Sequence, residues 1–229
     1  MKSFPITCYD DFYENPDQVR EFALTLDYTK VSGFFPGSRT QPLSAIDKDF
    51  CEFSCQRVLS IFGDYSETCD PSNYRALTQF QKISRFSSDF DDPVNMGWIH
   101  EDIKADLAAV IYLDPNPNLD NGTCIYRKDR ELSPSESIDP NNVPNCMEDY
   151  QVDDEFRELI IANNSQYTKT LEVKNCYNRL IAYSGDFHGA SSYYTQNEED
   201  FRLTQVFFFF GMNIPYELVP QIRCSRYGI

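Results

Sequence analysis

The chain has 229 residues and a formal net charge of -16, from 36 Asp and Glu against 20 Lys and Arg, and 15% of its residues are aromatic. That length and aromatic content suit one domain with a sizeable core. An acidic surface repels the phosphates of nucleic acids and of anionic lipid, whose binding depends on clustered Lys and Arg, so no nucleic-acid or membrane partner is expected.

The N-terminal stretch MKSFPITCYDDFYENP has no apolar run of signal-peptide length. Nowhere, VFFFF included, do apolar residues extend to the roughly 18 that suggest a membrane span. A soluble, cytoplasmic protein is expected, in which Cys8, Cys51, Cys55, Cys69, Cys124, Cys146, Cys176 and Cys224 stay reduced. Cys51 and Cys55 stand at helical i,i+4 spacing without a C-x-x-C pair, which reads as a buried helix face and not as a zinc site.

The first predicted element is a helix in NPDQVREFALTLDY, with Asn15 at the cap, Pro16 and Asp17 in the first turn, and Val19, Phe22, Ala23 and Leu26 on one face. GFFPGSRTQP is turn-rich. A second helix is expected from about Asp47 to Phe62, with Phe50, Cys51, Ser54, Cys55 and Val58 inward. Beyond Gly63 the texture changes to short strands: ALTQFQKISRF, MGWIHEDI, DLAAVIYL, GTCIYRK, KTLEVK, NRLIAYSG, HGASSYY and FRLTQVFFFFG, separated by Gly, Pro, Asn and Asp clusters.

This order predicts a mainly β fold with flanking helices, a sandwich or barrel with helices packed outside. The expected organisation is a single domain over 1–229: a helical layer over 1–76, a β core over 77–212 and a tail over 213–229. Residues 131–168, acidic and proline-bearing, interrupt the core and end in a short helix near 154–162; such an insertion is a lid or binding loop, or a tolerated surface excursion. DPNPNLDNG alternates oxygen ligands like a calcium loop, but Leu119 stands where that loop's sharp turn requires glycine, so it reads as a wide turn between strands.

The chain has two histidines, His100 in WIHEDI and His188 in GDFHGA. In a strand, side chains two apart share a face, so His100 and Asp102 project together while Glu101 points away. With His188 as a third ligand they would form the two-His, one-carboxylate set that holds non-haem Fe(II) and leaves positions open. Further on, RLTQVFFFF reads as a strand buried on both faces, with Arg202, Thr204, Val206 and Phe208 on one and Leu203, Gln205, Phe207 and Phe209 on the other. An arginine at the start of a buried face is costly unless it meets an anion, and a planar guanidinium suits a carboxylate.

IHED, GDFHGA and RLT together resemble the H-x-D, H, R-x-S/T signature of the Fe(II)- and 2-oxoglutarate-dependent dioxygenases, whose fold is a double-stranded β-helix, the jelly roll of cupin-like proteins. LAAVIYLDPNPNLDNGTCIY and NRLIAYSGDFHGAS resemble the prolyl-4-hydroxylase-like branch, and the resemblance covers residues 77–212. It implies that His100, Asp102 and His188 ligate Fe(II), that Arg202 pairs with the distal carboxylate of 2-oxoglutarate, and that Thr123 and Thr204 are candidates to hydrogen-bond it. It also implies that O2 is consumed, that a C–H bond of an amino acid, peptide or small metabolite is hydroxylated, and that succinate and CO2 are released. Asp102 disfavours a halogenase, whose relatives have a small residue at that position.

Two departures weigh against prolyl hydroxylation in particular: arginine stands at 202 where that branch often has lysine, and Phe86 stands where a cosubstrate-contacting tyrosine would be. Asp186 could orient a ligand or pair with Arg202, Tyr126, Arg127, Lys128 and Arg130 could line a substrate mouth, and Tyr193 and Tyr194 read as packing aromatics. Asn178 and Arg179 match a pair ahead of the distal strand whose role would be structural. Two other classes stay open: a jelly-roll binding module without turnover, and a cupin-type metal enzyme that uses no keto acid. The sequence specifies neither substrate nor oligomeric state.

Overall fold

The structure, a computed structural model, describes residues 4–30, 37–62, 74–85, 87–89, 91–102, 104–129, 154–185, 188–191, 201–212 and 222–223. In chain order the elements are β1 (Thr7–Tyr9), α1 (Pro16–Leu24), β2 (Thr29–Lys30), β3 (Gly37–Arg39), α2 (Leu43–Ile46), α3 (Lys48–Leu59), β4 (Arg75–Ile83), β5 (Leu107–Tyr112), β6 (Thr123–Lys128), α4 (Asp154–Asn164), β7 (Tyr167–Val173), β8 (Leu180–Ser184), β9 (His188–Ser191), β10 (Arg202–Phe210) and β11 (Ile222–Arg223). The two predicted N-terminal helices are α1 and α3. Asp47 caps α3 by accepting from the Phe50 N–H at 2.9 Å, whereas Asn15 stands at the head of α1 without a side-chain capping bond.

Among the described residues the strands form an eight-stranded sheet, ordered β11-β1-β8-β5-β10-β4-β3-β2, and a three-stranded sheet, β7-β6-β9. Pairing is antiparallel except between β1 and β11. Residues before Tyr74 therefore supply three strands to the large sheet as well as helices. β1 and β3 hide in segments that read as turn or polar chain, namely ITCYDD and PGSRTQ, and β2 is the two residues Thr29–Lys30 just beyond the first predicted helix.

The alternation read in RLTQVFFFF governs the packing. Leu203, Phe207 and Phe209 join Leu107, Ala109, Ile111, Leu180 and Ala182 on the outer face, beneath Cys51, Cys55, Val58 and Leu59 of α3 and Ala23 of α1. Val206 and Phe208 lie on the inner face with Ala108, Val110, Tyr112, Ile181 and Tyr183, against Ile125 and Val173 of the small sheet. A strand apolar on both sides suits this sandwiched position. Gln205, a polar residue on the outer face, is satisfied there: Tyr13 donates to its Oε1 at 2.7 Å and its Nε2 donates to Thr78 at 3.2 Å.

Asn178 and Arg179 fasten the N-terminal segment to the sheet. Asn178 accepts from the Tyr13 N–H and donates to the Tyr13 carbonyl, each at 2.8 Å, from a backbone at φ 62° that asparagine tolerates well. Arg179 binds Asp10 through two parallel hydrogen bonds of 2.5 and 2.8 Å, both side chains being buried.

The predicted strand MGWIHEDI is not one. Pro93–Met96 form a 3-10 turn, Gly97 takes φ 76°, and residues 97–102 run extended with a single bridge, His100 to Gly189. Side-chain amides at the end of α4 occupy the backbone groups a neighbouring strand would need. Asn164 accepts from the Ile99 N–H at 3.1 Å and donates to the Gly97 carbonyl at 2.8 Å, and Asn163 donates to the Ile99 carbonyl at 2.9 Å. In the DPNPNLDNG turn Asp120 pairs with Lys174 at 2.7 Å, an ordinary surface contact.

Candidate functional site

The inner face of the large sheet and the facing small sheet enclose the predicted site residues. At one end, His100 and Gly189 exchange hydrogen bonds of 3.1 and 2.8 Å, which draws the His100 segment against the start of β9. His188 begins that strand, opposite Tyr126 of β6. The side chain of His188 lies outside the described residues, as do Asp186, Phe86, Arg130, Tyr193 and Tyr194.

The two-residue spacing does bring His100 and Asp102 together, with Nε2 and Oδ1 3.7 Å apart and both side chains partly open to solvent. Two donors ~2.1 Å from one ion at right angles stand ~3.0 Å apart, so a small rotamer adjustment would let both reach a single metal. The His100 Nδ1 lies 2.8 Å from the Trp98 carbonyl oxygen, which can only accept, so Nδ1 donates there and Nε2 is the ring nitrogen that faces Asp102. Burial pushes the Asp102 carboxyl above the usual aspartate range, against the pull of His100 and Arg39; a divalent cation would favour the carboxylate. An imidazole and a carboxylate on one rim fit Fe(II) in kind. Among the described residues there is no group of three or more potential His, Cys, Asp or Glu ligands.

Gly185 permits this rim to form. The Asp102 N–H donates to the Gly185 carbonyl at 3.0 Å, and a Cβ on Gly185 would stand 2.0 Å from the Ala105 carbonyl oxygen. A side chain there would drive the Asp102 segment away.

At the other end, Arg202 is 0% exposed. Its Nη1 donates to the carbonyls of Asn121 and Gly122, and its guanidinium lies 5.7 Å from the centre of the Tyr112 ring. Tyr112 donates to Thr123 Oγ1 at 2.7 Å across the gap between the sheets. Because Thr123 accepts this bond, its own hydroxyl proton is left for a second acceptor. Burial raises the Tyr112 phenol to about 12, with Arg202 pulling the other way, so it remains a donor at neutral pH. Thr204 is fully buried and makes only a long 3.5 Å contact to the Gln81 carbonyl.

Tyr183 lies on the inner face with Tyr112, and its hydroxyl would stand 3.7 Å from a Cβ on Gly189. Burial raises its phenol far above the usual tyrosine value, with the Asp102 charge adding and the Arg202 charge opposing. Tyr126 is buried and Arg127 and Lys128 are exposed, Arg127 pairing with Asp129 at 2.8 Å. Tyr112, Tyr183, Gly185 and the Trp98 carbonyl did not stand out in the sequence. Alternation puts Tyr112 on the face of Ala108 and Val110, but only the strand order sets it beside Arg202.

DUF6445, a family of unknown function, matches residues 2–209. The chain belongs to this family. No curated protein matches it. Among solved structures, HygX from Streptomyces hygroscopicus, with nickel and 2-oxoglutarate bound, is 13% identical over 90% of this chain and 82% of its own, with a TM-score of 0.50. A prolyl-4-hydroxylase from Pseudomonas putida is 12% identical over 91% and 93%, with a TM-score of 0.42. The Fe(II)/α-ketoglutarate-dependent dioxygenase TqaL is 9% identical over 90% and 77%, with a TM-score of 0.40. The likeness to HygX is one of fold: this DUF6445 chain shares the architecture of a 2-oxoglutarate-binding protein. Among its described residues no helix is long and apolar enough to cross a membrane.

Proposed function

We propose that the chain is an Fe(II)- and 2-oxoglutarate-dependent dioxygenase built on a double-stranded β-helix, hydroxylating a C–H bond of an amino acid, peptide or small metabolite with release of succinate and CO2. The observation that carries this reading is the pairing of His100 Nε2 with Asp102 Oδ1 at 3.7 Å, together with the fully buried Arg202 on the inner face of the large sheet. HygX, of like fold, binds nickel and 2-oxoglutarate.

In this reading His100, Asp102 and His188 hold the metal. Iron and keto acid together supply the activation of O2 that side chains lack. Everything else is done by the chain. The Trp98 carbonyl keeps the His100 proton on Nδ1 and its Nε2 open to the metal. Arg202 receives the distal carboxylate of the keto acid, Thr123 donates its hydroxyl proton to the same group while accepting from Tyr112, and Thr204 lines the wall beside them. Val110, Ile125 and Val206 keep this end of the pocket apolar and exclude water.

The test is succinate formation from 2-oxoglutarate in air, with and without added Fe(II), in the presence of a substrate library. Iron-dependent succinate, abolished in His100→Ala and with a strongly raised KM for 2-oxoglutarate in Arg202→Ala, supports the reading. A folded protein that forms no succinate points to a binding module. Activity indifferent to Arg202→Ala points to a metal enzyme without a keto acid.

A further inference from the structure

Arg39, in a segment that reads as turn-rich, is brought to the pocket by the strand order. It ends β3 and faces Gln81 of β4, Gln81 faces Thr204 of β10, and Thr204 faces Tyr112 of β5. Directly opposed residues of an antiparallel ladder share a face, so Arg39 belongs to the same inner face as Thr204 and Tyr112, two strands or about 10 Å from Thr204. Its side chain is held in a defined place. Nε donates to Gln81 Oε1 at 3.1 Å, and the guanidinium lies 5.6 Å from the centre of the Phe208 ring, further along the inner face. Phe208 stands in the row of Ala108 and Tyr183, two residues before Gly185, whose carbonyl accepts from the Asp102 N–H at 3.0 Å, so the guanidinium extends towards the Asp102 segment. Burial lowers its pKa to about 10 while the nearby Asp102 raises it, so the charge persists at neutral pH.

The inner face of the large sheet thus carries two guanidinium groups. Arg202 sits deep, on a central strand; Arg39 sits near the edge of the sheet, on the side of Asp102. We propose that Arg39 anchors a carboxylate of the substrate, giving the pocket a second anion site beside Arg202. This deepens the dioxygenase reading and rests on it, because it takes Arg202 as the partner of the cosubstrate. A planar guanidinium oriented by Gln81 and Phe208 is suited to two-point binding of a carboxylate. With a net charge of -16 the molecule as a whole repels a carboxylate, so one that binds must be held by local positive charge such as that of Arg39. A carboxylate on Arg39 would leave the rest of the substrate over the His100–Asp102 rim.

Matched pairs of N-acetyl amino acids and their amides are the probes, followed by ligand-observed NMR on protein loaded with nickel and 2-oxoglutarate and on metal-free protein. The expected result is binding of acids at least tenfold tighter than of their amides, lost in Arg39→Gln and largely kept in Arg39→Lys, with 2-oxoglutarate affinity held within about twofold in both variants. Thermal unfolding verifies that the variants fold. Equal binding of acids and amides, no binding of any acid, or undiminished discrimination in Arg39→Gln overturns the proposal, as does a loss of 2-oxoglutarate affinity in Arg39→Gln as large as the loss of acid binding. Arg39-dependent acid binding by protein that takes up neither nickel nor 2-oxoglutarate would instead overturn the dioxygenase reading and leave the anion site standing.

Discussion

The Tyr112 hydroxyl donates to Thr123 Oγ1 at 2.7 Å, joining the large sheet to the small one beside the buried Arg202 guanidinium. Thr123→Val keeps the shape but removes the acceptor of a fully buried phenol, at a cost of about 1–3 kcal/mol. Denaturant melts should show that loss, and calorimetry should show weaker 2-oxoglutarate binding than in Tyr112→Phe. The latter removes the same bond but leaves the Thr123 hydroxyl in place.

Gly185→Ala should damage the metal site from a position that supplies no ligand. The added Cβ would stand 2.0 Å from the Ala105 carbonyl, so the Asp102 segment must shift. Metal titration is expected to show at least tenfold weaker affinity, with secondary structure by circular dichroism unchanged.

The Asp10–Arg179 pair predicts a large stability effect. Asp10→Ala strands a buried guanidinium and should lower the unfolding free energy by about 3–5 kcal/mol. Asp10→Ala with Arg179→Met removes both charges and should recover much of that loss in the same denaturant measurement.

The Asp92–Arg157 contact at 2.7 Å gives a pH dependence. The Arg157 hydrogen bond, assisted by the Val94 N–H, holds the Asp92 carboxyl below the usual aspartate range. A carboxyl whose folded pKa is depressed contributes stability above its unfolded value and loses that contribution as pH falls from there through the folded value. Stability measured from neutral pH down through the aspartate range should therefore fall less steeply in Asp92→Asn than in the parent protein, the Asn variant being the less stable at neutral pH.

What could be read beforehand was whatever periodicity controls. The two faces of β10 follow from alternation alone, and the His100–Asp102 pair follows from a spacing of two along extended chain. The inward stripe of α3 emerges with Cys51, Ser54, Cys55 and Val58 buried. What could not be read depends on distant partners. Residues 98–102 are barely paired because Asn163 and Asn164, some 65 residues later, bind the Ile99 backbone. β1 is a short, partly polar segment whose ladder partners, residues 180–182 of β8, lie more than 170 residues away. Arg39 lies in chain that reads as a turn, and only the ladder through Gln81 brings it to the face of Thr204.

Metal content of purified, folded protein under anaerobic Fe(II) titration tests the central claim most directly. The account predicts one ferrous ion per chain, with affinity falling by at least a hundredfold in each of His100→Ala, Asp102→Ala and His188→Ala while the fold persists. A folded parent chain that binds no iron, or iron binding indifferent to any of the three substitutions, would contradict it.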